Sequence, residues 1–346
     1  MSIGIAIIGA GIFARQEHLP AVQATPLLSL KAIYSRSKAS ADKLANSAAK
    51  PVRTYYDSPV TSSHTLDHLF ARKDIDAVII ALPICVQPTV IRKAVEAGKH
   101  VLSEKPIAKD IDTAAHLIMW YKHQRREEIW SVGENFRFFD PITFAVEQIK
   151  KLGGDVVTFS VDLYAFIDEN DEFYQTAWRQ KPEYQGGFLL DGGIHFVAAL
   201  RCLLEAAAQS ISTVRASTSL IKEDLAPLDT LNANLTTVNK RNGTFNLSYG
   251  SKFRRDCKIR IVTTTGAVAV SPSEVIITTN DKRTTQEKTY KFPPGSGVRK
   301  EVAAFAESIC SKEPNPRGSP EQAYLDLKLL QGMLESGEED GAAKRI

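Results

Sequence analysis

Short apolar runs alternate with amphipathic segments along the first part of the chain, up to about residue 135. Runs of strand length, rich in Ile, Val and Leu, lie at 3–8, 28–34, 77–82, 100–103 and 129–134, with a weaker run at 52–56. Such two-sided apolarity is typical of parallel strands that are covered on both faces. Helical spacing is found between them, at 39–48, 87–97 and 111–124. The alternation predicts a doubly wound parallel sheet with right-handed crossovers.

The pattern changes after residue 136. Helical spacing is found at 142–152, 192–204, 298–309 and 320–334. Between 211 and 290 the chain is rich in Thr, Val and Ile in strand-length pieces, and Asn242-Gly243 predicts a two-residue hairpin turn. We therefore predict an open, mostly antiparallel sheet with helices on one face. The chain is then α/β plus α+β, with domains at 1–135 and 136–346, and the tail beyond Glu335 is expected to fray.

Composition is that of an ordinary globular protein. The length of 346 residues suggests two domains at about 150 residues each. A hydrophobic share of 43% and a charged share of 24% exclude wholesale disorder. The cysteines form no CxxC pair and are expected to be reduced, mostly buried thiols: Cys85, Cys202, Cys257 and Cys310.

Charge and hydropathy argue against several kinds of partner. Lys+Arg 43 against Asp+Glu 40 is nearly balanced, so no nucleic acid is expected. No stretch approaches the roughly 18–20 uninterrupted apolar residues of a membrane span. The apolar start lacks a basic leader and runs into Arg15, which predicts a buried strand and a cytoplasmic protein. His64 and His68 have a spacing that could hold zinc, but no third ligand is evident and no metal is expected.

A glycine-rich turn follows the first predicted strand directly. Gly9-Ala10-Gly11-Ile12-Phe13-Ala14 fits the G-x-G-x-x-G/A fingerprint of the Rossmann dinucleotide-binding fold. Gly9 permits the tight turn, Gly11 lets the backbone approach a pyrophosphate, and Ala14 keeps helix and sheet close. The alternative is a turn that is merely tight, and the position at the first strand of a β–α unit favours dinucleotide binding through Gly9, Gly11, Ile12 and Phe13.

The end of the second strand indicates which dinucleotide binds. Versions of the fold that bind NAD place an acid there for the ribose 2′-hydroxyl. Here the chain reads Tyr34-Ser35-Arg36-Ser37-Lys38, without an acid. Arg36 could bind a 2′-phosphate bidentately, Ser35 could donate a hydrogen bond and Lys38 would add charge, unless these are simply solvated loop residues. NADP(H) is therefore preferred over NAD.

Two further motifs complete a recognisable set. Glu104-Lys105-Pro106 follows the fifth strand, and Asp191-Gly192-Gly193-Ile194-His195 lies far downstream. With the glycine turn, they make the chain resemble the glucose–fructose oxidoreductase/inositol dehydrogenase (Gfo/Idh/MocA) oxidoreductases over nearly its whole length. Trp178-Arg179 followed by Gly186-Gly187 is most similar to a eukaryotic, NADP-dependent branch. The resemblance implies an NADP-binding first domain and a second domain for substrate binding and dimerisation.

The residues of these motifs suit hydride-transfer chemistry. Lys105 is predicted at the carboxyl end of a parallel strand, where its ammonium could polarise a substrate oxygen. Asp191 and His195 are four residues apart, on one face of a helix, and Gly192 and Gly193 would let a ligand approach. The resemblance implies that His195 exchanges a proton with the substrate hydroxyl or carbonyl. Asp191 would orient His195 or bind a neighbouring hydroxyl.

The resemblance implies further contacts to the cofactor. They fall at the ends of the fourth, fifth and sixth strands and in one segment of the second domain: Leu82, Pro83, Gln87, Glu104, Lys105, Asn135, Trp178 and Arg179. At the position of Gln87 the family usually has His or Asn. For Glu104 the alternative is a helix-capping carboxylate, and Trp178 could simply be a core aromatic.

The function that these motifs indicate is an NADP-dependent oxidoreductase acting on CH–OH donors or carbonyl acceptors. The substrate is left open among sugars, polyols, inositols, small aldehydes and diketones. The alternative is a catalytically idle NADP-binding regulator or sensor of the same fold, because function is decided by the site and not by the fold. The family often dimerises through the open face of its second-domain sheet, so a homodimer is expected.

Overall fold

A parallel sheet organises the first part of the chain. In the computed structural model, which describes residues 2–57, 64–124, 127–281 and 284–346, its strands are β1 Ile3–Ile8, β2 Leu28–Ser35, β3 Arg53–Tyr56, β4 Ala77–Ile80, β5 His100–Glu104 and β6 Trp130–Gly133. They lie in the order β3-β2-β1-β4-β5-β6, and every pairing is parallel. All residues of β1 are buried, as its two-sided apolarity predicts. The doubly wound Rossmann sheet is confirmed.

The predicted helical segments are all found as helices, with ends shifted by a few residues, whereas the short helices Leu66–Phe70 and Ala177–Gln180 were not predicted. The helices are α1 Leu19–Ala24, α2 Lys38–Ala45, α3 Leu66–Phe70, α4 Gln87–Glu96, α5 Ile111–Gln124, α6 Asp140–Leu152, α7 Ala177–Gln180, α8 Gly187–Ala206, α9 Val298–Ser311 and α10 Pro320–Glu338. A π-helical turn, Ala14–His18, precedes α1. Isolated π-helical turns are rare, and many of those that occur lie at functional sites.

The contacts divide the chain into two units that differ from the predicted domains. Unit 1 combines Met1–Asn135 with Gly297–Tyr324, and unit 2 combines Phe136–Ser296 with Leu325–Ile346. The sequence pattern predicts a single division at residue 135, with 297–324 in the second domain. In the structure α9 packs against α1 and β6, so its apolar face joins the core of unit 1.

Unit 2 is built on a mixed sheet. Its strands are β7 Val156–Tyr164, β8 Ile211–Ser219, β9 Thr230–Thr237, β10 Asn242–Ser248, β11 Asp256–Thr263, β12 Gly266–Val270, β13 Glu274–Asp281, β14 Thr284–Lys291 and β15 Lys344–Arg345. Their order is β14-β13-β12-β11-β7-β10-β9-β8-β15, antiparallel except for the parallel pair β7–β10. Buried residues alternate with more exposed ones along β9, whereas β14 is exposed along most of its length, and α6 and α8 pack on the sheet. The mostly antiparallel sheet is confirmed.

The predicted hairpin turn at Asn242-Gly243 is wrong by a few residues. Both residues belong to β10, and the chain reverses earlier, where Lys240 has φ of +61°. Gly243 is needed for packing, because a Cβ there would lie 2.4 Å from the Phe159 ring. A glycine selected for close approach thus has the same appearance in the sequence as a glycine selected for a turn.

The frayed tail is also wrong. Helix α10 continues to Glu338, and β15 then pairs with β8, so the last residues cover an edge of the sheet. Cys85 and Cys310 are exposed and Cys202 and Cys257 are half-buried, so the expectation of mostly buried thiols is wrong. Among the described residues one helix, α8, is long and apolar enough to cross a membrane, but 72% of its apolar window is buried within the protein, as in a core helix.

Candidate active site

The turn after β1 has the geometry that a dinucleotide requires. Gly9 has φ of +112°, and a Cβ there would lie 2.1 Å from the carbonyl oxygen of Ala81. Only glycine fits such a position. At Gly11, in contrast, a Cβ would meet no atom within 4 Å, so the backbone borders open space. Ala14, in the third position of the fingerprint, is buried in the core of unit 1.

The remaining first-domain candidates lie at the same edge of the sheet. Ser35 and Glu104 end their strands, and the others follow directly after a strand: Arg36, Leu82, Pro83, Lys105 and Asn135. The carboxyl ends of parallel strands meet at one edge, and the sheet order reverses there between β1 and β4. In open α/β sheets this reversal point is where ligands bind.

Gln87, at the start of α4, is the most informative of these residues. Its side chain is 1% exposed, and both carboxamide atoms are buried without a hydrogen-bond partner among the described residues. Buried polar groups are almost always hydrogen-bonded, so an exception calls for a ligand or another explanation. The open space at Gly11 and the unsatisfied carboxamide of Gln87 together fit a bound dinucleotide.

Glu104 has a partner that the sequence did not indicate. Nε2 of His18 lies 2.7 Å from Oε1 of Glu104, and His18 is fully buried at the end of the π-helical turn. Glu104 therefore links the segment after the glycine turn to the loop that carries Lys105. Lys105 itself is half-buried.

An acidic side chain lies beside the end of β2, although it comes from a different part of the sequence. Asp57, just after β3, accepts a hydrogen bond of 2.6 Å from the hydroxyl of Tyr34. Burial of Tyr34 is the main reason that its pKa is raised far above the usual value, with Asp57 adding to it. Arg36 is exposed, whereas the ammonium of Lys38 pairs with Asp42 on its own helix. Arg36 is therefore the cation of this set that is better placed for an incoming anion.

The second group of candidates lies on α7 and α8 in unit 2. Helix α8 begins with Gly186 and Gly187, both with positive φ, at +67° and +51°. Nε of Arg179 donates to Oδ2 of Asp191 at 2.7 Å, and the Arg179 guanidinium lies 4.0 Å from the ring centre of Trp178. The structure thus brings three candidates together, and Asp191 has a strong ionic partner in Arg179.

His195, one turn further along α8, is held by an aromatic neighbour. The ring of Phe136 stacks on its imidazole, with ring centres 4.8 Å apart and planes 20° apart. The adjacent Arg137 donates from Nη2 to both oxygens of Asp326 at 2.8 and 2.6 Å. Both partners of this ion pair are almost completely buried. A rigid ionic anchor therefore fixes the turn that carries Phe136.

Tyr249 is a site residue that the sequence analysis missed. Its hydroxyl would lie 2.2 Å from a Cβ at Gly192, and it is 6% exposed. Burial, and then the charge of Asp191, raise the pKa of Tyr249 far above its usual value, so it remains a protonated donor. The Tyr249 side chain occupies the space beside Gly192, and a Cβ at Gly193 would lie 3.0 Å from Leu247. The sequence had led us to expect a ligand beside these two glycines.

Two domain families match this chain. Residues 3–132 match "Oxidoreductase family, NAD-binding Rossmann fold", and residues 146–344 match "Oxidoreductase family, C-terminal alpha/beta domain". The chain belongs to the Gfo/Idh/MocA oxidoreductase family. The resemblance inferred from three short motifs is confirmed.

Full-length Gfo/Idh/MocA relatives are found in fungi. The chain is 45% identical to "Dehydrogenase FPY6" of Fusarium mangiferae over 345 residues, covering 99% of each chain. It is 30% identical to the uncharacterized protein YMR315W of Saccharomyces cerevisiae over 359 residues, covering 99% and 98%. A more distant relative is the D-xylose 1-dehydrogenase (NADP(+)) 2 of Haloferax volcanii, 25% identical over 358 residues and covering 98% of each chain. The resemblance to a eukaryotic branch is supported by the two fungal proteins.

A solved Gfo/Idh/MocA-like structure has the same fold throughout. The oxidoreductase from Thermotoga maritima superposes with a TM-score of 0.87 at 28% identity, covering 100% of this chain and 98% of that one. The family thus fixes the fold, oxidoreductase activity and an NAD(P)-binding first domain.

The residues that the sequence analysis missed share one property. His18, Phe136, Asp57 and Tyr249 each lie far along the chain from the group they contact. No local motif marks such a residue. For Tyr249 the only signal was a tyrosine directly after a strand-length alternating run.

Proposed function

We propose that this protein is an NADP(H)-dependent oxidoreductase that interconverts a carbonyl and a hydroxyl group on a small, sugar-like substrate. The observation that carries the proposal is the open backbone at Gly11 beside a sheet edge where Gln87 presents an unsatisfied buried carboxamide. The names of two relatives support it, one a dehydrogenase and the other a D-xylose 1-dehydrogenase (NADP(+)).

The cofactor would be held by the carboxyl edge of the six-stranded sheet. The glycine turn would approach the pyrophosphate, and Gln87 would donate to or accept from the polar groups of the bound dinucleotide. The nicotinamide supplies or accepts the hydride when bound. Leu82, Pro83, Asn135, Trp178 and Arg179 are proposed as further contacts.

The catalytic roles follow from the chemistry of each side chain. Lys105 would polarise the substrate oxygen through its ammonium, and His195 would give or take the proton of that oxygen. Asp191 is held by Arg179 at 2.7 Å, so we assign it to binding a neighbouring substrate hydroxyl. The Tyr249 hydroxyl, kept protonated by its surroundings, would donate a further hydrogen bond.

Variants of the two proposed catalytic residues test this assignment. A panel of sugars, polyols, aldehydes and diketones with NADPH oxidation as the readout would first identify a substrate. His195→Ala and Lys105→Met are then expected to lower kcat about 100-fold or more, in line with loss of acid–base catalysis. Wild-type turnover in either variant would overturn the roles. Tight NADPH binding with no turnover across the panel would instead indicate a regulator or sensor.

The preference for NADP(H) is proposed to depend on Arg36. This side chain is exposed at the end of β2, where a 2′-phosphate would be expected. Arg36→Ala should weaken NADPH binding about tenfold or more while changing NADH binding little, because a bidentate contact to phosphate is lost. Lys43→Ala, which removes an exposed cation from α2, is the matched control. An Arg36→Ala protein that keeps its preference for NADPH would refute the assignment.

The assembly and location are proposals as well. We propose a homodimer that uses the open face of the unit 2 sheet, in the cytosol, without nucleic acid or membrane partners. The open face presents polar side chains, among them the exposed Asn232 and Asn234. Light scattering at micromolar concentration tests the dimer, and a monomeric mass would overturn it.

A further inference from the structure

The buried histidine at the end of the π-helical turn joins two loops of unit 1. His18 is 0% exposed, and its Nε2 lies 2.7 Å from Oε1 of Glu104. The residues are 86 positions apart, so the bond connects the segment after the glycine turn to the loop after β5. A buried hydrogen bond to a carboxylate is among the stronger polar contacts in a protein.

Glu104 lies in a confined space beside β6. Its side chain is 12% exposed, and a Cβ at Gly133 would lie 3.5 Å from its Oε1 and 3.4 Å from Oε2 of Glu301. The glycine on β6 therefore leaves room for two carboxylates, one of which is oriented by His18. Lys105 is the next residue after Glu104, so the direction of the Glu104 side chain limits the backbone from which Lys105 projects.

The other side of His18 contacts the glycine turn. The ring of Phe13 meets the imidazole edge-on, with ring centres 5.2 Å apart and planes 82° apart. Phe13 follows Gly11 by two residues, where the backbone borders open space. Phe13, His18 and Glu104 thus form a continuous series of contacts from the glycine turn to the residue before Lys105.

We propose that His18 is a positioning residue that couples occupancy of the glycine turn by the dinucleotide to the setting of Lys105. The proposal rests on the proposed function, in which the turn binds NADP(H) and Lys105 polarises the substrate. His18 touches neither ligand and acts through Phe13 and Glu104.

The first measurement needs no turnover. The rate at which trinitrobenzenesulfonate modifies Lys105 is followed by peptide mass spectrometry, with and without saturating NADPH. In the wild type we expect NADPH to change this rate about tenfold, and in His18→Leu only about threefold or less, within the usual range of coupling between sites. His18→Gln, which keeps a donor for Glu104, should retain most of the effect.

Controls separate positioning from a structural role. The labelling ratio is the rate of Lys105 modification with NADPH divided by the rate without it. His116→Leu, at an exposed histidine of α5 in the same unit, should leave this ratio unchanged. Thermal unfolding and NADPH titration show that each variant is folded and saturated, and Glu104→Leu, which removes the acceptor for His18, replaces His18→Leu if the latter does not fold. A wild-type ratio in folded, saturated His18→Leu or Glu104→Leu protein would overturn the proposal.

The second measurement uses the identified substrate. His18→Leu should lower kcat about tenfold with little change in the KM for NADPH, whereas a merely structural defect would change both, and His18→Gln should restore kcat. Failure of the proposed function is recognised separately, by absence of turnover in the wild type or by full activity in Lys105→Met. In that event the labelling ratio still decides whether His18 couples the two loops.

Discussion

At the scale of single residues, the groups that we propose for cofactor binding include some that lower the stability of the protein. Gln87 is the clearest case, because both polar atoms of its side chain are buried without a partner among the described residues. A buried, unsatisfied polar group costs about 1–3 kcal/mol. Such exceptions to good packing are expected at functional sites.

Replacing Gln87 should therefore separate stability from binding. Gln87→Leu removes the unsatisfied carboxamide, so we expect the melting temperature of the cofactor-free protein to rise. Binding of NADPH, measured by fluorescence titration, should weaken about tenfold, as for one lost hydrogen bond to a charged or polar ligand.

Gln23 provides the matched control. Its carboxamide donates to the carbonyl of Leu19 at 3.3 Å and accepts from the amide of Ala49 at 2.7 Å. Gln23→Leu should lower the melting temperature, because satisfied hydrogen bonds are lost, without a specific effect on cofactor affinity. Equal changes in the melting temperature of the two variants would show that the buried carboxamide of Gln87 does not lower stability.

At the scale of elements, the hairpin between β9 and β10 shows how a motif can mislead. Lys240 takes the left-handed conformation at the turn, while Gly243 lies within β10 against Phe159. The sequence predicts the turn at Asn-Gly, whereas in the structure Gly243 lies within the strand because Phe159 packs against it.

Two substitutions in this hairpin should have opposite effects on the free energy of unfolding. Lys240→Gly relieves a positive φ and should stabilise by up to about 1 kcal/mol. Gly243→Ala places a Cβ against the Phe159 ring and should destabilise by about 1–3 kcal/mol. Urea denaturation measures both. A tolerated Gly243→Ala would contradict the close approach of Gly243 to Phe159, and no gain from Lys240→Gly would contradict the position of the turn at Lys240.

The first residue of β5 makes this element sensitive to acid. Nδ1 of His100 accepts from the amide of Ile129 at 2.8 Å, and burial is the main reason that the pKa of His100 is lowered, against smaller opposing effects of Glu128 and Asp76. The folded state thus favours the neutral ring. Its contribution to stability is complete above the unfolded pKa of about 6.5 and is lost as the pH falls below it.

Denaturation at neutral and mildly acidic pH tests this contribution. The free energy of unfolding of the wild type should fall more between about pH 7 and pH 5 than that of His100→Asn, which keeps an acceptor that does not titrate. His123→Asn, at an exposed histidine of α5, should behave as the wild type does. Parallel curves for wild type and His100→Asn would exclude the effect.

At the scale of the whole molecule, unit 1 is completed by a segment from near the end of the chain. Val298, Val302 and Phe305 of α9 belong to the same buried cluster as β1. Since α9 fills one side of this core, the first 135 residues by themselves lack part of the packing that the Rossmann sheet requires.

A substitution in α9, distant from the glycine turn in the sequence, should therefore destabilise the unit that contains this turn. Phe305 is 2% exposed, and Phe305→Ala should lower the free energy of unfolding by about 3–5 kcal/mol. Chemical denaturation checks this, with NADPH binding reporting on unit 1. Phe253→Ala, at a residue that is 97% exposed, is the control and should have no measurable effect. A small effect at Phe305 would mean that unit 1 does not depend on α9.

Much of this protein could be predicted from local patterns. The six strands of the parallel sheet, the course of α5 and the family motifs all follow from side chains that are near one another in the sequence. Where apolar residues recur with the period of a strand or of a helix, only that element can bury all of them, so the prediction is unambiguous. The boundary after residue 135 belongs to the same class, because the change in pattern is local.

The amino-acid sequence by itself determined the fold class, the family and the strand ends at which the candidate residues lie, because each depends on local periodicity and on short motifs. The tertiary structure alone decided what surrounds each of them: His18 on Glu104, Arg179 on Asp191, Phe136 on His195 and α9 in the core of unit 1. Most of these contacts join residues that are far apart in the chain, whereas Arg179 and Asp191 are 12 positions apart. Packing selects them through shape and charge once the sheets have formed, and no local pattern encodes that selection.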